Sequence, residues 1–547
     1  MTNPTRRSWT QQARSTGESR AREERGGRPG DARRLADPLA PPLDVWNASR
    51  VRWIVERELN GAKVIVVANR APRIHERNED GSVRVLHPAS GLVTALEPVV
   101  RATRGLWVAH GSGSADRENS DEGGRLMVGG EDGYTLRRLW LTAEEEQGYY
   151  YGCANEALWP LCHLAHARPL FRAGDWGHYR AVNQRFADAV CEEAGVEDPL
   201  VLVQDYHLAL VPAMIRRRLP HATIVSFWHI PWPNAERFGI CPWDGELLEG
   251  LLGSSIVGFH TRLHCNNFLD AVDRRLEARI DREDQAVVIA GNKTLVRPYP
   301  ISIEWPSPFE AVTPPAGECG RELRAALGIE PEVRLGVGVD RLDYTKGIEE
   351  RLLAVERAFE RFPELRGTFT FVQVAAPSRT AIERYRQLGE AVERVTSRIN
   401  QRFATDRWKP VVLLRKHHEG PEVFRIYRAA NLCYVSSLHD GMNLVAKEFI
   451  SARDDLRGTL VLSRFTGAAR ELGEALLVNP YDLEEASGAI AAALSMSEME
   501  QAARMTALRA TVSEFNVFRW AGRMLVEASR VRRREQMTDA IDRSEEG

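Results

Sequence analysis

Short apolar runs that stop at ionisable residues recur along this chain, with helical stretches between them. Residues 63–70, Lys-Val-Ile-Val-Val-Ala-Asn-Arg, open the series. An apolar run of this kind predicts a strand buried on both faces. Residues 106–109 make a shorter one, and 200–207 and 223–231 end in Asp205-Tyr206-His207 and His229-Ile230-Pro231. Helices are expected over 92–100, after Ser90-Gly91, and over 149–166. The Pro-rich stretch 298–315 reads as a boundary. A second alternation follows it, with strands at 334–341, 368–375, 411–414, 432–435 and 458–463. Its helices are expected at 348–362, 444–452 and 520–530. Strands alternating with helices imply parallel sheets covered on both faces. The expected fold class is α/β, with two Rossmann-like halves facing each other across a cleft. Function in such sheets gathers at the carboxyl ends of strands, where Arg70, Asp205 and His229 fall.

Residues 1–44 break the pattern. Arginines from Arg6 to Arg34 are interleaved with Gly, Pro, Ser and acidic residues, and Trp9 is the only aromatic. Such a segment cannot bury enough surface to offset its ordering entropy, so a disordered tail is expected. It has no apolar core for a signal peptide. Removing residues 1–44 should leave the melting temperature and turnover unchanged, and a large loss in either would mean that the segment docks on the folded part. The expected division of the rest is an acceptor half at 45–304, a nucleotide-sugar half at 305–515, a helix at 516–536 packing back toward the first half, and a frayed end at 537–547.

Composition narrows the classes. At 547 residues the chain is too long for one ordinary core. A net charge of −3 gives no sign of nucleic-acid or anionic-membrane binding. No apolar run approaches the length of a membrane span. The 7 Cys include no Cys-x-x-Cys, so neither a zinc ribbon nor a disulfide framework is indicated, and a reducing cytoplasm fits.

The chemistry centres on residues 439–448, His-Asp-Gly-Met-Asn-Leu-Val-Ala-Lys-Glu, between the 432–435 strand and the 444–452 helix. A strand passing through a Gly-containing turn into a helix start presents backbone N–H groups to an anion. Glu448 sits a little over one helical turn beyond Asn443, where its carboxylate could accept two ribose hydroxyls. Asp440, in the turn, could accept sugar hydroxyls. The stretch reads as a nucleotide-sugar site, with a plain capped turn, Asp440 its N-cap, as the alternative. Arg341 and Lys346, in Asp340-Arg341-Leu342-Asp343-Tyr344-Thr345-Lys346-Gly347, stand just past another strand end. Fixed cations there can stabilise a departing diphosphate without a metal. The chain contains no Asp-x-Asp pair of the kind that holds a divalent ion in many sugar transferases. Gly336-x-Gly338 and Gly111-x-Gly113 lack the third glycine of a dinucleotide fingerprint, and His260 with His264 lacks the glutamate of a zinc-protease motif.

Taken in order, several motifs resemble the trehalose-6-phosphate synthase family, retaining glucosyltransferases of the two-domain GT-B type in glycosyltransferase family 20. They are Asn69-Arg70, Leu158-Trp159-Pro160, Asp205-Tyr206-His207, His229-Ile230-Pro231, Arg341-Leu342-Asp343-Tyr344-x-Lys346-Gly347, Ala376-Pro377-Ser378-Arg379 and Asp440 to Glu448. The resemblance implies that Arg341 and Lys346 hold the donor diphosphate and Glu448 the ribose. It places Asn443 and Leu444 on the phosphates, Ser90, Gly91 and Met442 beside the donor, and Asp440 and His229 on glucose hydroxyls. Arg70, Tyr150, Trp159, Asp205 and Arg379 form the implied acceptor pocket, with the two arginines on its phosphate. Three positions depart from the family pattern: Ser90 where Gly is usual, His110 where Trp is common, and Gln204 where His is usual. His110 is thus a further candidate acceptor contact.

The implied reaction is transfer of glucose from UDP-glucose to glucose 6-phosphate, giving trehalose 6-phosphate and UDP, with retention and with neither metal nor cofactor. Relatives making glucosylglycerol phosphate share much of the motif set, so another phosphorylated acceptor is the alternative. A non-catalytic sugar-phosphate binder is the rival from outside the enzyme classes. The expected partners are the two substrates, without nucleic acid or membrane, and a homo-oligomer is left open.

Overall fold

The computed structural model describes residues 46–545 apart from 89, 90, 131, 132 and 197. The expectation of a disordered segment over 1–44 and the donor candidate Ser90 lie outside the described residues. Among those described, the strands form a ten-stranded sheet, a six-stranded sheet and a two-stranded hairpin.

The ten-stranded sheet is built outward from Val64–Arg70. The chain first moves to one side, through Leu106–His110 to Tyr134–Leu139. It then returns to Leu200–Gln204 on the other flank and continues through Thr223–Phe227, Ile256–Phe259 and Asn292–Pro298. These pairings are all parallel, and antiparallel pairing is confined to the two margins, where Arg125–Val128 pairs with Tyr134–Leu139 and Ala286–Ile289 lies between Asn292–Pro298 and Arg279–Asp281. The six-stranded sheet repeats the plan with parallel strands throughout. Arg334–Arg341 leads out through Phe369–Ala376 to Val411–Leu414, and the chain returns to Leu432–Val435, Thr459–Ser463 and Leu476–Val478. Each sheet therefore has a point where the strand order reverses and a crevice opens at the strands' carboxyl ends. In the first it lies between Arg70 and Asp205, and in the second between Arg341 and the turn after Val435.

Burial on both faces explains the unbroken apolar runs. Val64, Val66 and Ala68 join one core with Trp520, Met524 and Leu525 of the last helix. Ile65 and Val67, pointing the other way, join a second core with Tyr179, Phe186 and Val190. The last helix is longer than the sequence suggests, Val517–Glu545. Residues 517–545 contain one Gly and no Pro, so nothing in them breaks a helix. This helix lies on the first half: Trp520 meets Phe227 at 5.2 Å, and Glu527 binds Arg297 (2.7 Å) and the Tyr299 hydroxyl (2.9 Å).

The helix expected over 149–166 also differs. Wide π-helical turns run through Gln147–Leu158, a short α-helical piece covers Trp159–Cys162, and the helix stops there. The next backbone N–H groups go elsewhere: that of Leu164 donates to His439 Nδ1 of the second half at 3.1 Å. A partner that distant in sequence cannot be read from local pattern. No helix among the described residues is long and apolar enough to cross a membrane.

Candidate active site

At the first reversal point, Arg70 and His110 end neighbouring strands in direct register. Arg70 Nη2 donates to the Tyr150 hydroxyl at 3.3 Å, and the Tyr150 ring stacks on His207 at 5.7 Å and 10°. Burial alone would push the Tyr150 phenol up, but the guanidiniums of Arg379, Arg70 and Arg341 bring it down to about 8. Burial holds the His110 imidazole neutral, lowering its pKa to about 4. Asp205 has φ +74, a left-handed conformation that costs energy for a residue with a side chain. That twist lets one carboxylate oxygen accept from the backbone N–H of Tyr206 (2.9 Å) and of His229 (3.2 Å). Burial raises the Asp205 carboxyl to about 7 in spite of these bonds. Gln204, the position noted as unusual, has a clear task. Its side-chain oxygen lies 2.8 Å from His229 Nε2, which fixes the ring, while burial keeps the imidazole neutral.

At the second reversal point, Lys346 Nζ donates to Asp440 Oδ2 at 2.5 Å. Burial opposes ionisation of Asp440, but Lys346 and the amide of Asn443 overcome it and hold the carboxyl at about 2. The helix Leu444–Ala452 is capped by Asn443, in the left-handed region at φ +78, whose side chain accepts from the N–H of Ala446. The alternative of Asp440 as N-cap is therefore incorrect: its carboxylate faces Lys346, Ser437 and Asn443. Glu448 is half-buried and accepts from the Tyr427 hydroxyl at 3.1 Å, and desolvation raises its carboxyl. Met442 is buried, and its carbonyl accepts from the N–H of Ala468.

The two halves meet over these residues. A Cβ on Gly441 would lie 2.4 Å from the His229 carbonyl oxygen, so only glycine lets the Asp440 turn close onto the first half. Gly91 approaches the start of the donor helix, where a Cβ would stand 3.0 Å from Leu444 Cδ1. Arg379, at φ +49, reaches across the cleft: its guanidinium lies 4.2 Å from the Trp159 ring and donates to the Tyr206 hydroxyl at 3.3 Å. A cavity of about 390 Å³ opens between the halves. Arg70, His110 and Tyr150 line it from one side, and Arg341, Ser378 and Arg379 from the other. Trp159, which backs Arg379, and Asp205 are not among the residues that line this cavity. Lys346 pairs with Asp440, His229 approaches them through its carbonyl against Gly441, and Glu448 stands apart beside Tyr427; among the described donor candidates Arg341 is the one that borders the cavity.

Several sequence signals resolve as packing. A Cβ on Gly338 would fall 2.3 Å from Arg351 Nη1, and one on Gly336 would strike the Phe369 and Phe371 rings. Gly111 makes room for Trp140 and Gly113 for the His75 carbonyl. His260 and His264 are core residues, His260 Nε2 lying 2.9 Å from the His229 carbonyl. Among the described residues no three His, Cys, Asp or Glu side chains converge as a metal site would require. Residues not singled out from sequence include Ser378, which accepts from Arg341 Nη1 at 3.2 Å, and Asp343, the buried partner of Arg379. Both sit inside quoted motifs, beside residues that drew attention for their charge.

The model of glycosyltransferase family 20 matches residues 62–530. The trehalose-6-phosphate synthase of Mycobacterium avium is 40% identical over 465 residues, covering 84% of this chain and 93% of its own. That of Mycolicibacterium smegmatis is 41% identical, covering 84% and 90%. Among solved structures, the E. coli trehalose-6-phosphate protein bound with UDP-2-fluoro glucose is 30% identical with a TM-score of 0.76, covering 86% of this chain and 99% of its own. A UDP-forming α,α-trehalose-phosphate synthase from Burkholderia xenovorans in complex with glucose-6-phosphate has 30% identity and a TM-score of 0.75, covering 85% and 99%. The chain belongs to glycosyltransferase family 20, as an enzyme of the UDP-forming α,α-trehalose-phosphate synthase type.

Proposed function

We propose that this chain transfers glucose from UDP-glucose to glucose 6-phosphate with retention, releasing UDP and trehalose 6-phosphate. The observation that carries the reading is the meeting of two built sites at Arg341. On one side lies an acidic and amide-rich turn suited to a sugar and its nucleotide, Asp440, Asn443 and Glu448. On the other lies a cavity whose two walls present Arg70 and Arg379 toward an anion. Solved relatives bind a UDP-glucose analogue and glucose-6-phosphate, which supports the same pair here.

Arg341 and Lys346 stabilise the charge that develops on the leaving diphosphate. His229 and Asp440 orient the transferred glucose, and the leaving phosphate takes the acceptor proton as the new bond forms on the same face. The acceptor phosphate meets Arg70, Arg379 and Tyr150, with His110 as a neutral donor. The test is initial rates with UDP- and GDP-glucose against glucose 6-phosphate, glycerol 3-phosphate and glucose. The highest kcat/KM is expected for UDP-glucose with glucose 6-phosphate. A preference for glycerol 3-phosphate would move the assignment to the alternative acceptor, and saturable binding without UDP release would make the chain a sensor.

Two outcomes follow from the charges. Because two fixed cations replace a metal in this mechanism, excess EDTA without added divalent ion should leave the rate intact. Near-complete inhibition restored by magnesium would sink the cation clamp. Because the Tyr150 phenol ionises at about 8, more alkaline solution adds a negative charge that competes with the acceptor phosphate for the arginines. The acceptor KM should rise as pH increases through that value, and Tyr150→Phe should flatten the rise. An equal rise in the variant would remove Tyr150 from the phosphate site.

A further inference from the structure

Two guanidiniums of the proposed mechanism, those of Arg379 and Arg341, face one carboxylate, and the turn that this residue shapes carries a third cation, Lys346. Asp343 is fully buried, at 0% exposure. Its Oδ1 accepts from the Thr345 N–H (3.0 Å) and hydroxyl (2.9 Å), and its carbonyl accepts from the Lys346 N–H at 3.0 Å. These bonds shape the turn Tyr344–Lys346 that carries Lys346. Its Oδ2 accepts from Arg379 Nη1 at 3.1 Å and lies 3.9 Å from Arg341 Nη2. The Tyr385 hydroxyl completes the group, 2.6 Å from Arg379 Nη1 and 3.5 Å from Asp343 Oδ2. Burial would push the Asp343 carboxyl up, but Arg379, Arg341 and Lys346 hold it below the usual range, so it stays ionised.

We propose that Asp343 is a positioning residue that couples the two substrate sites, holding Arg341 and Lys346 on the donor side and Arg379 on the acceptor side in one frame. This rests on the donor and acceptor reading given above. Two guanidiniums held close together repel one another. A shared buried counter-ion removes that repulsion and fixes the direction in which each donates. Without it the cations would still attract phosphates, and more strongly, because less of their charge is neutralised. They would hold them in poorer geometry, and turnover depends on placement within a fraction of an ångström. The signature of this role is a fall in kcat together with tighter binding of a simple anion. A residue that only supports the fold would weaken both when lost.

Asp343→Asn keeps the shape and the Oδ1 acceptor while removing the charge. Turnover and both KM values would be measured, together with the Kd of inorganic phosphate for the free enzyme by calorimetry. We expect kcat to fall about 10²-fold, as for a misplacement near 1 Å. Phosphate should bind at least about threefold more tightly, since the opposing charge is gone. Turnover within about twofold of the parent, or weaker phosphate binding in a folded variant, would overturn the proposal. Should Asp343→Asn fail to fold, the pair Asp343→Asn with Arg379→Gln leaves no unpaired charge between them. The pair should lose at least about tenfold in kcat relative to Arg379→Gln alone, because Arg341 has lost its counter-ion as well, and a kcat equal to that of Arg379→Gln would overturn the coupling. The phosphate measurement needs no glucosyl transfer. An enzyme that transferred nothing to any acceptor would therefore defeat the functional reading while the phosphate result still decided on Asp343.

Discussion

Arg341→Ala should lower turnover by about 10²–10³, the usual cost of losing a preorganised group that meets developing charge. Arg341 borders the cavity, its guanidinium donating to Ser378 and lying 3.9 Å from Asp343 Oδ2. Charge on the leaving diphosphate grows as the glycosidic bond breaks, so a cation there helps the transition state more than the ground state. Glu448 makes a useful contrast. It lies half-buried beside Tyr427 on the Leu444–Ala452 helix, and on the proposed reading its ribose contacts change little during the reaction. Glu448→Gln should therefore raise the donor KM and leave kcat nearly unchanged. The comparison is made with variants shown to be folded by circular dichroism, at saturating acceptor. If Arg341→Ala changed only KM while Glu448→Gln collapsed turnover, the two roles would be reversed.

Arg351→Met should destabilise the second half by ~3–5 kcal/mol, the cost of leaving a buried charge without its partner. Arg351 is completely buried and donates to Asp340 Oδ2 (2.6 Å), Gln373 Oε1 (3.0 Å) and Ser436 Oγ (2.9 Å). Ser436 in turn donates to the carbonyls of Lys346 and Gly347. One buried guanidinium thus joins the strand end before Arg341, the turn carrying Lys346 and the start of the Asp440 stretch. Replacing both charges, Arg351→Met with Asp340→Asn, should recover more than half of the loss, because no unpaired carboxylate remains. Urea unfolding of the two variants decides this. A loss below about 1 kcal/mol for Arg351→Met would show that water or rearrangement satisfies Asp340.

Arg351 also shows what the sequence could and could not disclose. The strand ending at Arg341 was legible because its residues are buried on both faces, which demands an unbroken apolar run. The glycines within that run were equally visible and resembled an incomplete dinucleotide fingerprint. Their purpose is to make room for Arg351 and for two Phe rings, and that depends on which helix crosses the sheet. The Asp440 to Glu448 stretch was legible because strand, turn, helix start and carboxylate are consecutive. The stop at Cys162 was not, because it is set by His439 from the other half. The length of the last helix was underestimated because charged residues were read as an end, whereas Arg532 and Arg533 pair with Asp198 and Glu58 of the first half. Asp343 escaped notice because a carboxylate between Arg341 and Lys346 looks like part of a solvated loop until its burial is known.

The central claim is that the two reversal points hold the two substrates of one retaining transfer. Proton NMR of the purified enzyme with UDP-glucose and glucose 6-phosphate tests it most directly. The account expects UDP to appear together with a non-reducing disaccharide phosphate whose two anomeric protons both show the small coupling of α linkages. A β linkage at the transferred glucose, or UDP and free glucose without a disaccharide, would contradict it.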